Sequence, residues 1–447
     1  MNQTSPQARP SPSVWSIAGP SIAVFMMGTL TGVIIIKIVA ALGTPAVAAV
    51  TAGQRINFVS LALLMGMGAA TTALVARAWG AQNYDLATAY ARLSLKVGLL
   101  ACVLLSLLAI VLAEPLTHFF QLEGESFELA VTYIRWLSLF GVAQGTMMIL
   151  STASRAIGDA KTPLYLGIIT NSVSVAAAYA LTFGHWGLPA LGIKGTALGW
   201  GLSLCVGTGI YLFLWLRGHL PLAFAYRGPA PETRLKRFIK ICTPATIEQL
   251  IMQSAMLLFV GFVASYGTAA FAAYGIGINL FAVTMVIGLG FSMAASALVG
   301  QALGAGNRQM ALDNVRQALK LSVGILLVSG IISVVFATPL ANAMVEDPEV
   351  ARITAQFLLV LGLLQPLLGM DFVLSGAMRG AGDTRFPLIA GITTILGVRL
   401  PLAALVTWQG LPVAWLFAVF IADHLVKALL ITHRYRQGRW LRVLEDD

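Results

Sequence analysis

The stretch Phe238–Val263, FIKICTPATIEQLIMQSAMLLFVGFV, sets the class of this chain. It holds one acid, Glu248, among more than twenty mostly apolar residues. A helix needs roughly 20 apolar residues to cross the ~30 Å hydrocarbon core of a bilayer, and lipid offers no partner to an open backbone amide. The segment therefore predicts a membrane-spanning helix that carries a buried acid. The rest of the chain agrees with it. Of 447 residues, 58% are hydrophobic and 10% charged, against about 25% charged in soluble domains.

Working outward, comparable spans are predicted near 15–41, 49–73, 93–113, 129–151, 163–184, 192–215, 240–264, 271–296, 319–338, 351–374, 388–407 and 411–431. The expected fold is an all-α polytopic membrane protein of twelve transmembrane helices. The 28 Lys and Arg residues divide unevenly: 22 fall in the termini and alternate connections, and two, Lys194 and Arg352, in the others. Four more, Lys37, Arg55, Arg135 and Arg399, lie within or at the edges of spans. The longest connections on the sparse side are acidic, with Glu114, Glu123, Glu125 and Glu128 in one and Glu346, Asp347 and Glu349 in the other. By the positive-inside rule both termini are expected in the cytoplasm, in a bacterial-type inner membrane. The net charge of +10 then belongs to loops facing anionic lipid headgroups, not to a nucleic-acid surface. The polar start, Met1–Pro12, predicts no cleavable signal peptide. Cys102, Cys205 and Cys242 lie far apart in apolar surroundings, with neither disulfide nor metal-ligand spacing.

The chain also repeats itself at an offset of 224 residues. Pro20 matches Pro244, and Leu42-Gly43-Thr44 matches Tyr266-Gly267-Thr268. Gly66 matches Gly290, Ala73-Leu74-Val75 matches Ala297-Leu298-Val299, and Gly80-Ala81 with Asn83 matches Gly304-Ala305 with Asn307. Arg155, Gly158-Asp159 and Pro163 match Arg379, Gly382-Asp383 and Pro387. Six spans per half is an even number, so the repeats are parallel, related by a pseudo-two-fold axis along the membrane normal, an arrangement suited to alternating access. The expected division is a six-helix lobe over 1–216, a basic linker over 217–240 with Pro229 and Pro231, and a second six-helix lobe with a basic cytoplasmic tail over 241–447.

These motifs resemble the multidrug and toxic compound extrusion (MATE) family, in a bacterial DinF-like or related subgroup. The phrases that carry the resemblance are Leu42-Gly43-Thr44 with Ala48-Ala49, Leu298-Val299-Gly300-Gln301 running on to Gly304-Ala305-Gly306, Arg379-Gly380-Ala381-Gly382-Asp383-Thr384, and the closing Arg434-Tyr435-Arg436-Gln437-Gly438-Arg439-Trp440. The resemblance implies a V-shaped, monomeric secondary antiporter, not an enzyme. It would export drug-like, cationic or amphipathic compounds in exchange for H⁺ or Na⁺, with no cofactor and with membrane lipids around it. A lipid-linked oligosaccharide or lipid flippase of the same wider group is the alternative. The chain departs from the family at positions where many members carry acids or amides: here these are Ile35, Ser174 and Ala178 in the first half, and Met252 and Leu368 in the second. Glu248 and Asp371 lie about one helical turn from the last two.

Acids inside spans are costly and are functional candidates by default. Glu248 and Asp371 are the expected ion-coupling residues, with Arg399 either the internal counter-ion of one of them or half of a structural salt bridge. A carboxylate taken out of water holds its proton more tightly, which suits loading and release near neutral pH. The same two carboxylates could instead hold Na⁺. Asp423 stands four residues before Lys427 and reads as half of an intrahelical pair. Gln144, Asn171, Gln253, Asn279 and Lys37 are candidate substrate-cavity residues. Lys37, Arg55 and Arg135 also read as side chains snorkelling to the interface. Lys37, if turned into the first lobe, would argue against a cationic substrate there. Arg155 with Asp159, and Arg379 with Asp383, are expected to cap helices and pair locally. No Gly-x-x-x-x-Gly-Lys-Ser/Thr loop is present, which disfavours an ATP-driven pump. The five histidines have neither zinc nor nucleophile–base spacing.

Overall fold

The computed structural model describes residues 12–222 and 232–444; Pro229, Pro231, Arg227 and nearly all of the polar start lie outside them. The first half contains α1 (Val14–Ala40), α2 (Thr44–Gly80), α3 (Tyr84–Val111), the short α4 (Ala113–Phe119), α5 (Glu125–Ser138), α6 (Gly141–Ala156), α7 (Lys161–Phe183) and α8 (Ile193–Leu216). The second contains α9 (Glu232–Ala264), α10 (Thr268–Gly304), α11 (Arg308–Val335), the short α12 (Ala337–Met344), α13 (Pro348–Gly380), α14 (Arg385–Thr394), α15 (Leu400–Trp408) and α16 (Val413–Gln437). The pair α5 and α6 is bent by 49° at its junction and α14–α15 runs on as one span, so twelve membrane-length elements stand among the described residues. The last residues of the expected linker, from Glu232 on, are the opening turns of α9.

The duplication extends to the helix ends. Ala40, Thr44, Gly80, Val111 and Lys161 bound helices in the first half; Ala264, Thr268, Gly304, Val335 and Arg385, each 224 residues later, bound their counterparts. The local causes recur with them. Gly43 and Gly267 precede α2 and α10 with φ of 103° and 97°, a region open to glycine and costly for other residues. Asn83 and Asn307 cap α3 and α11, accepting from the amides of Leu86 at 3.0 Å and Met310 at 2.9 Å.

The two ends of the bundle differ. At the end where α2, α6, α10 and α13 finish, here called the basic end, the apolar cores mix the halves. Val14, Ile17 and Ala18 of α1 pack into the second-half core around Phe291 and Met378, while Phe238 and Ile241 of α9 join the first-half core around Leu74 and Ile149. At the opposite, acidic end each core belongs to one half: Ile35, Ala46, Tyr133 and Ala178 in one, Phe259, Tyr274, Phe357 and Phe417 in the other. The halves are thus joined at the basic end and separate at the acidic end, leaving a cleft between α1–α2 and α9–α10.

Candidate functional site

The second lobe carries a chain of buried charges. Glu248 of α9, 3% exposed, accepts from Arg379 Nη2 at 2.8 Å. Asp371 of α13 takes Lys427 Nζ at 2.9 Å and the Ser375 hydroxyl at 2.8 Å. Asp423 of α16 accepts from Arg399 through Nε at 2.9 Å and through Nη2, with His424 Nδ1 at 3.3 Å. Lys427 lies within Coulombic reach of Glu248 and Arg379, and His424 of Asp371 and Arg399, so α9, α13, α14–α15 and α16 share one network. Three acids face three permanent cations, and burial at this level requires that pairing. Glu248 Oε2 and Asp423 Oδ1 are buried and have no hydrogen-bond partner among the described residues.

Local structure explains how Arg399 enters this network. Pro401 has no amide hydrogen and its ring crowds the carbonyl four residues back. The backbone over Ile395–Arg399 widens into a π-helical turn, a bulge typical of functional positions. Arg399 is left 9% exposed, its guanidinium 4.9 Å from the Phe420 ring centroid.

Three expected pairings are corrected. Arg399 is the partner of Asp423, not of Glu248 or Asp371. Asp423 therefore does not pair with Lys427, which reaches Asp371 across to α13 and is buried instead of lying on a basic loop. Arg379 leaves its local motif for Glu248. Asp383 pairs with Arg434 at 2.8 Å while also capping α14 through the Phe386 amide at 3.3 Å. Sequence spacing favours intrahelical partners; packing of four helices around one point brings other partners nearer. The sequence reading missed His424, Arg434 and Gln365, which is 2% exposed and donates to Thr284 at 3.1 Å. A histidine beside a span acid was the available signal for the first.

Among the described residues, the first lobe shows no such chain of buried acids and cations. At the same offset Glu248 and Asp371 correspond to Val24 and Met147, and Ile35, Ser174 and Ala178 are buried, Ile35 and Ala178 in one apolar core. Arg155, the counterpart of Arg379, is buried and donates to Ser151 Oγ at 2.8 Å; Asp159 caps α7 through the Thr162 amide at 3.0 Å. Gln144 lines a small crevice at the α5–α6 bend, with Asn57, Ser60, Ser106 and Ser138. Asn171 instead donates to Gly167 O of its own helix at 2.7 Å. Gln253 shares the α9 stripe of Thr246, which meets α2 at Gly66. Asn279 and Lys37 are exposed, Lys37 one turn from the end of α1 and opposite its buried Ile35 and Val39. Arg135 pairs with Glu114 at 2.9 Å.

The lobes touch through paired glycines. A Cβ on Gly80 would lie 1.9 Å from Gln301 O, and one on Gly304, its counterpart, 2.0 Å from Arg77 O. Gly66 faces Thr246 of α9, and Gly290 faces Ile22 of α1; these partners are themselves 224 apart. The contact is a pseudo-two-fold seam at the basic end.

Comparison with known proteins places this geometry among characterised folds. The MatE family model matches residues 20–180 and 244–405, one match per half. The probable multidrug resistance protein NorM of Thermotoga maritima is 29% identical over 400 residues, 88% of this chain and 85% of that protein. A crystallised mutant of the Vibrio cholerae MATE transporter VcmN shares the fold with a TM-score of 0.88 at 22% identity, over 96% of this chain and 97% of that one. A MOP superfamily transporter from Pyrococcus furiosus gives 0.88 at 20% identity over 97% and 96%.

Proposed function

Since the chain belongs to the MatE family of transporters, we propose that it is a secondary antiporter exporting drug-like organic compounds from a bacterial cytoplasm in exchange for protons. Similarity to a probable multidrug resistance protein supports the substrate class. The observation that carries the coupling is the second-lobe network. Each buried acid already holds a cation, so a Na⁺ ion placed between Glu248 and Asp371 would meet the Lys427 ammonium and be repelled in a low-dielectric site. A proton can enter at Glu248 Oε2, which has no hydrogen-bond partner, without displacing anything.

The mechanism follows from where that proton acts. Neutralising Glu248 releases Arg379, in the last turn of α13. The next residue, Gly380, lies against Ser296 of α10, and Thr384 donates to Ile241 O of α9 at 2.9 Å. The same few residues therefore tie α9 to α13 beside the seam that joins the lobes. Loosening them favours opening at the basic end. With both termini cytoplasmic, as the loop charges argue, the present arrangement is outward-facing. Proton binding from outside then drives it inward-facing, and proton release to the cytoplasm resets it.

The test is reconstitution in proteoliposomes with a fluorescent drug under a pH gradient or a Na⁺ gradient alone. Drug movement should follow the pH gradient and stop when Glu248→Gln and Asp371→Asn are combined. Transport driven by Na⁺ alone, or undiminished in the double variant, overturns the coupling assignment.

A further inference from the structure

We infer that the cleft between the lobes binds acidic amphipaths, organic molecules carrying a carboxylate, sulfonate or phosphate, with Arg55 of α2 as the anion-binding group. The inference rests on the transporter reading above and adds to it the charge of the cargo. Arg55 stands eleven residues from the start of α2 at Thr44, about 16 Å along the axis. That is too deep to snorkel to the headgroups, which long cations manage only near helix ends. A cation at such depth must face protein or an aqueous cleft.

Its azimuth identifies the cleft. Arg55, Ala62 and Gly66 repeat at spacings of seven and four along one stripe of α2. Gly66 on that stripe meets Thr246 of the second lobe. Arg55 therefore projects from the lobe-facing side at the level where the cores have separated. It is exposed, and among the described residues it makes no hydrogen bond or ion pair. Across the cleft, Asn279 occupies the matched position on α10, followed by Val286 and Gly290 at the same spacings. Tyr274, on the same helix and 5% exposed, lies within Coulombic reach of both Arg55 and Arg399, and its hydroxyl has no partner. The cleft cation thus sits electrostatically next to the second-lobe network.

Nothing in the walls neutralises it. Helices α1, α2 and α10 contain no acid at all, and the one acid within the apolar part of α9, Glu248, is turned away into its own lobe against Arg379. A low-dielectric cleft with walls of one sign concentrates ligands of the other. A cationic drug would meet repulsion and no carboxylate; an acidic one finds a free guanidinium, which binds such oxygens through a two-pronged fork.

The experiment uses the full chain in lipid nanodiscs and two dyes with one xanthene skeleton and opposite charge, fluorescein and rhodamine 123, titrated by fluorescence anisotropy. Fluorescein should bind more tightly than rhodamine 123. Arg55→Gln should weaken fluorescein about tenfold to a hundredfold, the loss expected of a charge-assisted hydrogen bond, and Arg55→Lys should retain part of the affinity. Asn279→Asp, which leaves Arg55 in place and sets a negative charge on the facing wall, should lower it as well. Tighter binding of rhodamine 123, no binding of either dye, or unchanged fluorescein affinity in both Arg55→Gln and Asn279→Asp would overturn the inference. Fluorescein binding without gradient-driven transport would sustain it while overturning the antiporter reading.

Discussion

Replacing Gly80 or Gly304 by alanine tests the seam on which the two-lobe mechanism turns. A Cβ at Gly80 would stand 1.9 Å from Gln301 O and 2.7 Å from Gln301 Cα, and one at Gly304 2.0 Å from Arg77 O. These are backbone atoms, so no side chain can rotate away. A carbon and a carbonyl oxygen come no closer than about 3.3 Å, so the helices must part by roughly 1.4 Å at each substituted site. Overpacking of this kind costs about 1–3 kcal/mol, here charged only to the state in which the seam is closed, a shift of about 5- to 150-fold toward the opened basic end. Asp85 and Gln309, exposed and matched 224 apart near that end, are suitable sites for spin labels, with Cys102, Cys205 and Cys242 replaced by serine. Pulsed electron paramagnetic resonance should show a longer Asp85–Gln309 population in Gly80→Ala, larger still with Gly304→Ala added. Gly324→Ala is the control: nothing lies within 4 Å of that position, so alanine there should be neutral or stabilising by up to about 1 kcal/mol. Distance distributions and thermal stability indistinguishable from the parent in both seam variants would refute the reasoning.

Two further outcomes follow from the same contacts. Glu248→Gln leaves Arg379 without its anion and should destabilise the protein by about 3–5 kcal/mol; adding Arg379→Met should recover much of that loss in a denaturation double-mutant cycle, and additive losses would count against the pair. The closing segment places Trp440 in the core shared by α1 and the second lobe and Leu444 in the first-lobe core, with Arg237 donating to Leu444 O at 3.3 Å. Removing residues 439–447 should therefore lengthen the Asp85–Gln309 distance, measured with the same labels, and no change would show that the tail does not clamp the lobes.

Much of the fold was readable because its signals are local or periodic. Helix length against bilayer thickness, alternation of loop charge, and the 224-residue echo of Gly43, Asn83 and Gly158 each arise within a few residues of the chain. The identity of the buried acids was readable for the same reason, since an acid in an apolar span stands out wherever it packs. Their partners were not. Spacing along one helix pointed Asp423 to Lys427, and nearness in the chain pointed Arg379 to Asp383, whereas the structure pairs Asp423 with Arg399, Lys427 with Asp371 and Arg379 with Glu248.

The amino-acid sequence by itself determined that this chain spans the membrane twelve times, in two parallel copies of six, because lipid excludes any other use of such apolar stretches and the repeat fixes their sense. Only the tertiary structure decided which charges neutralise one another and at which end the lobes join. Those outcomes depend on the rotation and crossing of helices far apart in the chain, set by how side chains and glycines from different helices fit together.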